Sequence, residues 1–346
     1  DMDSIFAYAN HAKSSPGEEY LYYLLRTPAA NQKVLDERER LMQFFSSHEK
    51  ERLELELCFA EIGKTRKFAI SDYVDLLLTL EKENNIWHYL AIATIPAGLL
   101  MMSIFSVGTG FLIMLGFVVL NIIKYYQRKG EIEPYLATFG HIMKMLDASR
   151  KISELKIEEI GEYTSRVAGV CREFRKFRRG SAILMSGRGA TGGLEDVILD
   201  YVRMLTHIDL LKFNSMLEEV KKNAGEIDVL AENIGILDAL ISAASFRESL
   251  PFYGIPELEK TEKAFIKVKD VYHPMLQEPV ANSISEEQNV LITGSNASGK
   301  STFLKTVAIN AILSQSLNTC IATSYNACFF QIYSSMALKD NLQGNE

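Results

Sequence analysis

A glycine loop near the C-terminal end of the sequence constrains the fold more than any other stretch. Residues 290–302 read VLITGSNASGKST, and residues 294–301 match the G-x-x-x-x-G-K-[ST] pattern of phosphate-binding loops. In such a loop a short buried strand precedes the glycines and a helix follows them. We predict the strand at Val290–Ile292 and the helix from Ser301 to about Leu317, because both flanks have matching apolar patterns.

The predicted loop supplies groups that bind a nucleoside triphosphate. The backbone amides of a glycine loop face a phosphate, and the dipole of the following helix favours its negative charge. We predict that Lys300 contacts the β- and γ-phosphates of ATP as the catalytic cation and that Ser301 binds Mg²⁺. The predicted nucleotide-binding residues are Gly294, Ser295, Asn296, Ala297, Ser298, Gly299, Lys300, Ser301 and Thr302. The alternative is a glycine-containing turn followed by a chance Lys-Ser pair.

A second constraint is a long run without charged side chains. Residues 89–123 contain no Asp, Glu, Lys or Arg, and the run exceeds the roughly 20 residues of one membrane-spanning helix. Residues 106–110 read SVGTG and interrupt the run. We therefore predict a hairpin of two helices, at about Trp87–Phe105 and Phe111–Tyr126.

The flanks of this hairpin are typical of a membrane protein. Aromatic residues stand at both outer ends, and Lys124, Arg128 and Lys129 follow the second helix. Since positive residues collect on the cytoplasmic side of membranes, we predict that residues 86–126 anchor the protein from the cytoplasmic face. The alternative is a cytoplasmic protein whose apolar hairpin is covered by other helices.

The remaining sequence predicts a mainly α fold with a C-terminal α/β part. Residues 194–211 and 227–244 carry apolar stripes at helical spacing, which predicts long, lever-like packed helices. Strands are predicted at Phe265–Val271 and Ala327–Tyr333. The predicted domains are a helical core at 1–85, the hairpin at 86–130, lever helices at 131–250 and a truncated phosphate-loop ATPase domain at 251–346.

Charge and composition narrow the possible partners. The chain holds 37 Lys and Arg against 44 Asp and Glu, so DNA contact requires a local basic patch. Residues 172–179 read REFRKFRR and predict a phosphate contact, a solvated helix face or a contact with anionic lipid. The four cysteines have no metal-binding spacing, which favours reduced thiols.

The order of several motifs resembles the MutS family of DNA mismatch-repair ATPases. Residues 3–28 resemble the start of the helical core of that family, and Tyr272-His273-Pro274 resembles the entry to its ATPase domain. The loop 293–302 has Asn296 at its third position after Thr293, which is similar to the family pattern. Residues 340–344 resemble the segment before the signature serine loop of the family. Outside residues 86–130, the resemblance covers most of the chain.

The resemblance implies an ATPase that binds mismatched or branched DNA, with nucleotide-driven movement of lever helices and a homodimer. It places Val280 and Asn282 on the adenine side of the nucleotide. It also implies that the Walker B carboxylates, the signature loop and the dimerising segment lie beyond Glu346. We expect both ends of the chain to continue in a longer protein, and we expect this fragment to hydrolyse ATP poorly.

This sequence also departs from the family pattern. The Phe-x-Glu wedge that reads mismatches in the family belongs to a domain that would precede Asp1. Phe59-Ala60-Glu61 lies in a helical run, so we predict that Phe59 packs in a core. No counterpart of the DNA clamp is evident. A membrane-associated, ATP-switched scaffold that has lost mismatch recognition is therefore the alternative function.

Overall fold

The chain divides into two compact units. The computed structural model of the protein describes residues 2–65, 69–81, 83–104, 106–185, 194–276, 278–295 and 298–334. Unit 1 contains Asp1–Ala12, Gly17–Glu54 and Gly235–Glu346, and unit 2 contains Lys13–Pro16 and Leu55–Ile234.

The described residues are mainly helical, with a small mixed sheet near the C-terminal end. The helices are α1 Met2–Ala9, α2 Ser15–Arg26, α3 Gln32–Ser47, α4 Glu49–Ile62, α5 Ile70–Thr79, α6 Ile86–Ile104, α7 Val107–Glu154, α8 Gly161–Glu173, α9 Arg175–Arg178, α10 Ser181–Met185, α11 Leu194–Thr206, α12 Ile208–Lys222, α13 Ala224–Ser249 and α14 Lys300–Leu317. The strands are β1 Glu257–Glu259, β2 Ile266–Val271, β3 Asn282–Glu286 and β4 Ser324–Cys328. This arrangement confirms the mainly α class with a C-terminal α/β part.

The sheet of unit 1 has the strand order β1-β4-β2-β3. β4 pairs in parallel with β1 and antiparallel with β2, and β3 is an antiparallel edge strand. Val268, Tyr325 and Ala327 contribute to the buried cluster of this sheet, and Phe303 of α14 packs against it. The sheet therefore holds the first turn of α14, which follows the predicted phosphate loop.

Two strand predictions differ from the structure. The strand expected at Val290–Ile292 is wrong, because residues 290–293 are in no strand and Leu291 is 87% exposed. An apolar run becomes a strand only where another strand supplies hydrogen bonds, and no described strand pairs with these residues. The strand expected at Ala327–Tyr333 is shifted to Ser324–Cys328, because its register is set by pairing with β2.

The predicted apolar hairpin is present in unit 2 as α6 and α7. Ser106 is the N-cap of α7, and its hydroxyl accepts a hydrogen bond from the amide of Thr109. A Cβ atom on Gly110 would lie 2.7 Å from the Cα atom of Met102, so glycine is needed where the two helices meet. α7 continues past residue 130 without interruption to Glu154.

The hairpin helices α6 and α7 differ from the apolar helix α13 in how much of their surface is buried. By length and composition alone, α6, α7 and α13 are each able to cross a membrane. The apolar window of α13 is 72% buried inside the protein, whereas those of α6 and α7 are 17% and 6% buried. α13 is therefore a core helix, and the hairpin leaves most of its apolar surface uncovered.

The two predicted stripes have different outcomes. The stripe at 227–244 is confirmed, because Ile227, Leu230 and Ile241 of α13 are buried. The stripe at 194–211 is broken at His207, whose left-handed backbone (φ 52°) separates α11 from α12. Ile198 and Tyr201 of α11 are exposed, so the part of the stripe before the break does not face a core.

Two buried arginines hold the C-terminal end of α14 inside unit 1. Arg247 of α13 donates hydrogen bonds to the carbonyl of Asn318 (2.7 Å), the hydroxyl of Thr319 (2.8 Å) and the carboxylate of Glu39 (2.6 and 3.0 Å). Arg38 of α3 donates to the carbonyl of Ser316 at 2.7 Å. The last carbonyls of a helix lack intrahelical partners and attract cations. α3 and α13 therefore fix the end of α14 that lies farthest from the glycine loop.

We predict that Arg247→Met destabilises the protein by about 3–5 kcal/mol, because it leaves the Glu39 carboxylate and several carbonyls buried without their partner. The free energy of unfolding from urea titration measures this loss. The matched control is Arg40→Met, since the Arg40–Glu37 ion pair is largely exposed, and we expect about 0–1 kcal/mol for it. Equal losses for both variants would contradict the assigned role of Arg247.

The same ion pair predicts a pH dependence. Burial raises the pKa of the Glu39 carboxyl, but the hydrogen bond and charge of Arg247 outweigh burial and hold that pKa below its usual value. The stabilisation is therefore present above the unfolded-state pKa of Glu39 and is lost as pH falls through the lower folded-state pKa. We expect Arg247→Met to remove this contribution from the acid limb of the stability curve.

Candidate functional site

The first turn of α14 presents the predicted phosphate loop at the surface of unit 1. Gly299 is the N-cap of α14 and has a left-handed backbone, with φ 86°. A Cβ atom there would meet no atom within 4 Å, so the conformation and not the available space requires glycine. The helix begins at Lys300, and its first amides have no partner within the helix. This is the local geometry by which helix N-termini bind anions.

Lys300 folds back over the loop that precedes it. Its ammonium group donates hydrogen bonds to the carbonyl of Gly294 at 2.7 Å and to the carbonyl of Ser295, and it lies 3.5 Å from the Ser298 hydroxyl. These partners are all exposed. The structure therefore brings one cation, one hydroxyl and the helix N-terminus together over a few residues.

The other predicted loop residues have different surroundings. Ser301 and Thr302 are exposed in the first turn of α14, where a hydroxyl oxygen is accessible to a hard cation. Asn296 and Ala297 lie outside the described residues. These placements agree with the predicted loop but do not test the roles assigned to its residues.

The two adenine-side candidates stand next to each other at the start of β3. Val280 is 79% exposed, and the side-chain amide of Asn282 donates to the Val280 carbonyl at 3.0 Å. Among the hydrogen bonds between described residues, none joins this pair to the glycine loop. Their assignment to adenine therefore stays a prediction.

The Tyr272-His273-Pro274 motif follows β2 in the same unit. Tyr272 is buried and its hydroxyl donates to the carbonyl of Phe252 at 2.9 Å. Burial, followed by the positive charge of Lys305 on α14, lowers the pKa of His273. The ring is therefore uncharged at neutral pH, and its Nδ1 atom accepts a hydrogen bond from the Met275 amide.

The polar side chains that position α14 were not predicted from the sequence. Gln315 donates to the carbonyl of Phe330 and accepts from its amide, at 3.0 and 2.8 Å. Asn310 accepts a hydrogen bond from the amide of Ile321 at 2.6 Å. Both side chains are buried. Polar residues among apolar positions of a helix were the available signal, but their partners lie too far along the chain to be read from a pattern.

The basic run 172–179 is only partly available to a phosphate partner. Phe174 and Phe177 are fully buried and pack edge to face, so neither is available to stack on a base. Arg178 forms an ion pair with Asp147 at 2.8 Å. The exposed cations of the run are Arg172, Arg175, Lys176 and Arg179. The prediction that Phe59 packs in a core is confirmed, because its side chain is fully buried.

Comparison with known proteins gives partial similarities to one group. No family model matches the chain. It is 30% identical over 133 residues to a DNA mismatch repair protein MutS of Leptospira interrogans, an alignment that covers 35% of this chain and 15% of that protein. It is 30% identical over 154 residues to MutS protein homolog 4 of Mus musculus, covering 42% of this chain and 15% of that protein.

A third relative extends the same pattern. The chain is 32% identical over 160 residues to a DNA mismatch repair protein MutS of Listeria welshimeri, covering 43% of this chain and 18% of that protein. The alignments therefore span less than a fifth of these curated relatives. These distant and partial similarities support the membership of this chain among the MutS-related proteins.

Proposed function

We propose that the protein is a membrane-anchored, MutS-related ATPase in which ATP binding at residues 294–302 moves lever helices that contact DNA. One observation carries this proposal. The predicted phosphate loop opens α14, and the opposite end of α14 is hydrogen-bonded to α3 and α13 through Arg38 and Arg247. A rigid helix held in this way links a nucleotide site at one end to two further helices at the other.

The residues at the loop fit a nucleotide with Mg²⁺. The ammonium group of Lys300, which now contacts two loop carbonyls, has the charge and reach to contact phosphate oxygens instead. The Ser301 hydroxyl is exposed beside it and is a suitable Mg²⁺ ligand. When bound, Mg²⁺ neutralises charge on the β- and γ-phosphates. Lys300 would bind and orient those phosphates and stabilise the charge that develops on them.

Movement of lever helices is supported by the way α14 is held. A displacement of its first turn on nucleotide binding would act on the buried hydrogen bonds of Arg247, which belongs to α13. Such bonds between charged groups and carbonyls are strong and directional. The homodimer implied by the family resemblance is part of the same proposal.

We predict that Lys300→Ala in the full-length protein lowers the ATP hydrolysis rate by roughly 10²–10³-fold, because a positioned charge at the phosphates is lost. Release of inorganic phosphate measures this rate. Lys305→Ala on the same helix is the matched control and should leave most of the activity. Unchanged turnover in Lys300→Ala would exclude the nucleotide role of the loop.

Anchoring in a membrane is supported by the surface of the hairpin. Leu99, Leu100 and Leu120 are each more than half exposed, and contiguous apolar surface of this extent on a helix pair is typical of contact with lipid or with a partner. The chain places Lys124 and Arg128 where the second helix leaves the apolar run. By the positive-inside rule, this arrangement favours the cytoplasmic face for the parts of the protein outside the hairpin.

We predict that the full-length protein sediments with membranes and resists alkaline extraction, and that deletion of residues 86–126 releases it. Leu115→Arg tests the same point with one residue, because Leu115 is 46% exposed near the middle of the second predicted span. A charge there costs about 2.5–3.5 kcal/mol on insertion, so the membrane fraction should fall. Leu57→Arg at an exposed leucine of α4 is the control. A soluble wild-type protein would refute the anchor.

Contact with DNA is supported by the four exposed cations of the basic run and by the mismatch-repair names of the relatives. The alternative, an ATP-switched scaffold, is favoured by the burial of Phe174 and Phe177 and by the acidic balance of the chain. These two functions differ in one measurable property, which is the salt dependence of DNA binding.

We predict that the full-length protein binds branched or mismatched DNA more tightly than perfect duplex, with an affinity that falls as salt rises. Replacing Arg172, Arg175, Lys176 and Arg179 with Gln should reduce the slope of log K against log salt by about one for each cation that contacts a phosphate. Fluorescence anisotropy measures both. Replacing the exposed Lys221 and Lys222 of α12 is the control. No binding to any DNA at low salt would favour the scaffold.

A further inference from the structure

The helix α11 of unit 2 has an exposed apolar side that the nucleotide and DNA roles do not use. Val197, Ile198 and Tyr201 are each more than half exposed, and Val202 is 43% exposed. Residues three and four positions apart lie on one side of a helix. These four side chains therefore form one continuous apolar surface, which we call the outer face of α11.

The one basic residue in the sequence of α11 is buried instead. Arg203 is 4% exposed, and its guanidinium forms an ion pair with the Asp200 carboxylate at 3.0 Å. A helix at the surface of a water-soluble protein usually has the opposite arrangement, with its apolar stripe in the core and its charged side chains in the solvent. The outer face therefore suits a surrounding that is less polar than water.

α11 is held against both helices of the hairpin, which belong to the same unit. It packs on α6 and α7, and the carbonyl of Leu205 accepts a hydrogen bond from the side-chain amide of Asn121 at 3.5 Å. His207 follows α11 directly. The centroid of its ring lies 5.2 Å from that of His88 and 5.3 Å from that of Tyr125. The last turn of α11 is therefore fixed at the open end of the hairpin.

The contact with Asn121 gives the level of α11 along the hairpin. Asn121 lies inside the uncharged run 89–123 and close before Lys124. At the rise of an α-helix, the two residues are roughly 4–5 Å apart along the axis. Interfacial helices bury their apolar face about 5–10 Å into the boundary between headgroups and acyl chains. With the proposed anchor, the last turn of α11 thus stands at the depth that such helices occupy.

The composition of α11 indicates which lipids it fits. Its sequence holds Glu195, Asp196 and Asp200 against the single cation Arg203, so the negative potential of anionic lipids repels it. Tyrosine is enriched at membrane interfaces, and Tyr201 lies in the outer face. An acidic helix with an exposed apolar face fits a bilayer surface of neutral, zwitterionic lipid such as phosphatidylcholine.

We propose that the outer face of α11 lies in the interface of a neutral bilayer, as a third membrane-contact element beside the two hairpin helices. This inference rests on the proposed membrane anchor, because the hairpin brings α11 to the lipid. It goes beyond the anchor, since a spanning hairpin does not need a further contact. A contact beside the hairpin restrains the tilt of α6 and α7 relative to the membrane surface.

Tryptophan reporters make the contact measurable, because Trp87 is the single tryptophan of the chain. In full-length protein that carries Trp87→Phe, Tyr201→Trp reports on the outer face and Leu115→Trp reports on the second predicted span. Leu57→Trp is the control, because Leu57 is exposed on α4 and the Glu61–Lys151 ion pair ties α4 to the far end of α7. Each variant is reconstituted in phosphatidylcholine vesicles with bromine near the carbonyl end or near the methyl end of the acyl chains.

We expect the Tyr201→Trp reporter to lose fluorescence chiefly to bromine near the carbonyl end, because the interface lies there. The Leu115→Trp reporter should lose it chiefly to bromine near the methyl end, and the Leu57→Trp reporter should lose none.

Two changes should weaken quenching of the Tyr201→Trp reporter. The first is addition of anionic phosphatidylglycerol to the vesicles, and the second is Ile198→Glu, which puts a charge into the outer face. Leu57→Glu in the same reporter is the matched control and should leave the quenching unchanged. Circular dichroism confirms that each variant is folded, and Val197→Glu serves as a second, independent variant of the outer face.

The reporters separate this inference from the anchor on which it rests. Quenching of Leu115→Trp without quenching of Tyr201→Trp would overturn the inference and support the anchor, whereas no quenching of either would overturn both. Quenching of Tyr201→Trp alone would support the outer face as a membrane contact and refute the spanning hairpin. An unquenched Tyr201→Trp reporter with blue-shifted emission would show that protein covers the outer face, such as a second copy of the chain. Stronger quenching with phosphatidylglycerol would refute the preference for neutral lipid.

Discussion

The capping of α14 by two buried guanidinium groups is the interaction on which unit 1 depends. A helix ends with carbonyl groups that have no intrahelical partner, and in α14 those of Ser316 and Asn318 point at Arg38 and Arg247. Burying a guanidinium is costly unless its donors are satisfied, and Glu39 and the helix carbonyls satisfy those of Arg247. Because these charges must be paired when buried, their hydrogen bonds hold α3, α13 and α14 together, although the three helices are distant in sequence. It also fixes the end of α14 that lies opposite the first turn after the glycine loop.

The buried half of α14 is polar for a related reason. Asn310 and Gln315 lie among apolar residues, but their side chains form hydrogen bonds. Asn310 pairs with the backbone of Ile321, and Gln315 pairs with the backbone of Phe330. Loops that pass through a core carry backbone groups that need partners, and α14 supplies them through its side chains. α14 therefore holds the segments on both sides of β4 in place, and its own first turn follows the glycine loop. A change in its position would disturb many hydrogen bonds at once.

Sequence patterns predicted what depends on local spacing and failed where distant partners decide. The regular apolar positions from Ile227 to Ala244 predicted the buried face of α13. Residues 106–110 predicted where the hairpin turns, although residues 107–110 belong to the first turn of α7, which begins before the predicted Phe111. The break at His207 left no local signal, because a left-handed histidine is stabilised here by the packing around it. The apolar run Val290–Ile292 had the composition of a strand, but pairing decides whether a strand forms. The glycine loop was predictable because its residues are contiguous, whereas Arg38, Arg247 and Gln315 were not, because their partners lie up to 286 residues away.

Within unit 2, a continuous helix and not a linker joins the hairpin to the residues that follow it. α7 runs from Val107 to Glu154 with Pro134 inside it, so the apolar surface near its start and the buried residues Ile142 and Met145 near its end belong to one continuous helix. At the boundary, Arg128 pairs with Glu83 and Glu131, and Lys124 lies over Trp87. Paired charges and an aromatic ring at one level along a helix are typical of a boundary between an apolar environment and water. With the proposed anchor, α7 would carry orientation as well as attachment from the hairpin to the rest of unit 2, so it would set the angle between those residues and the membrane surface.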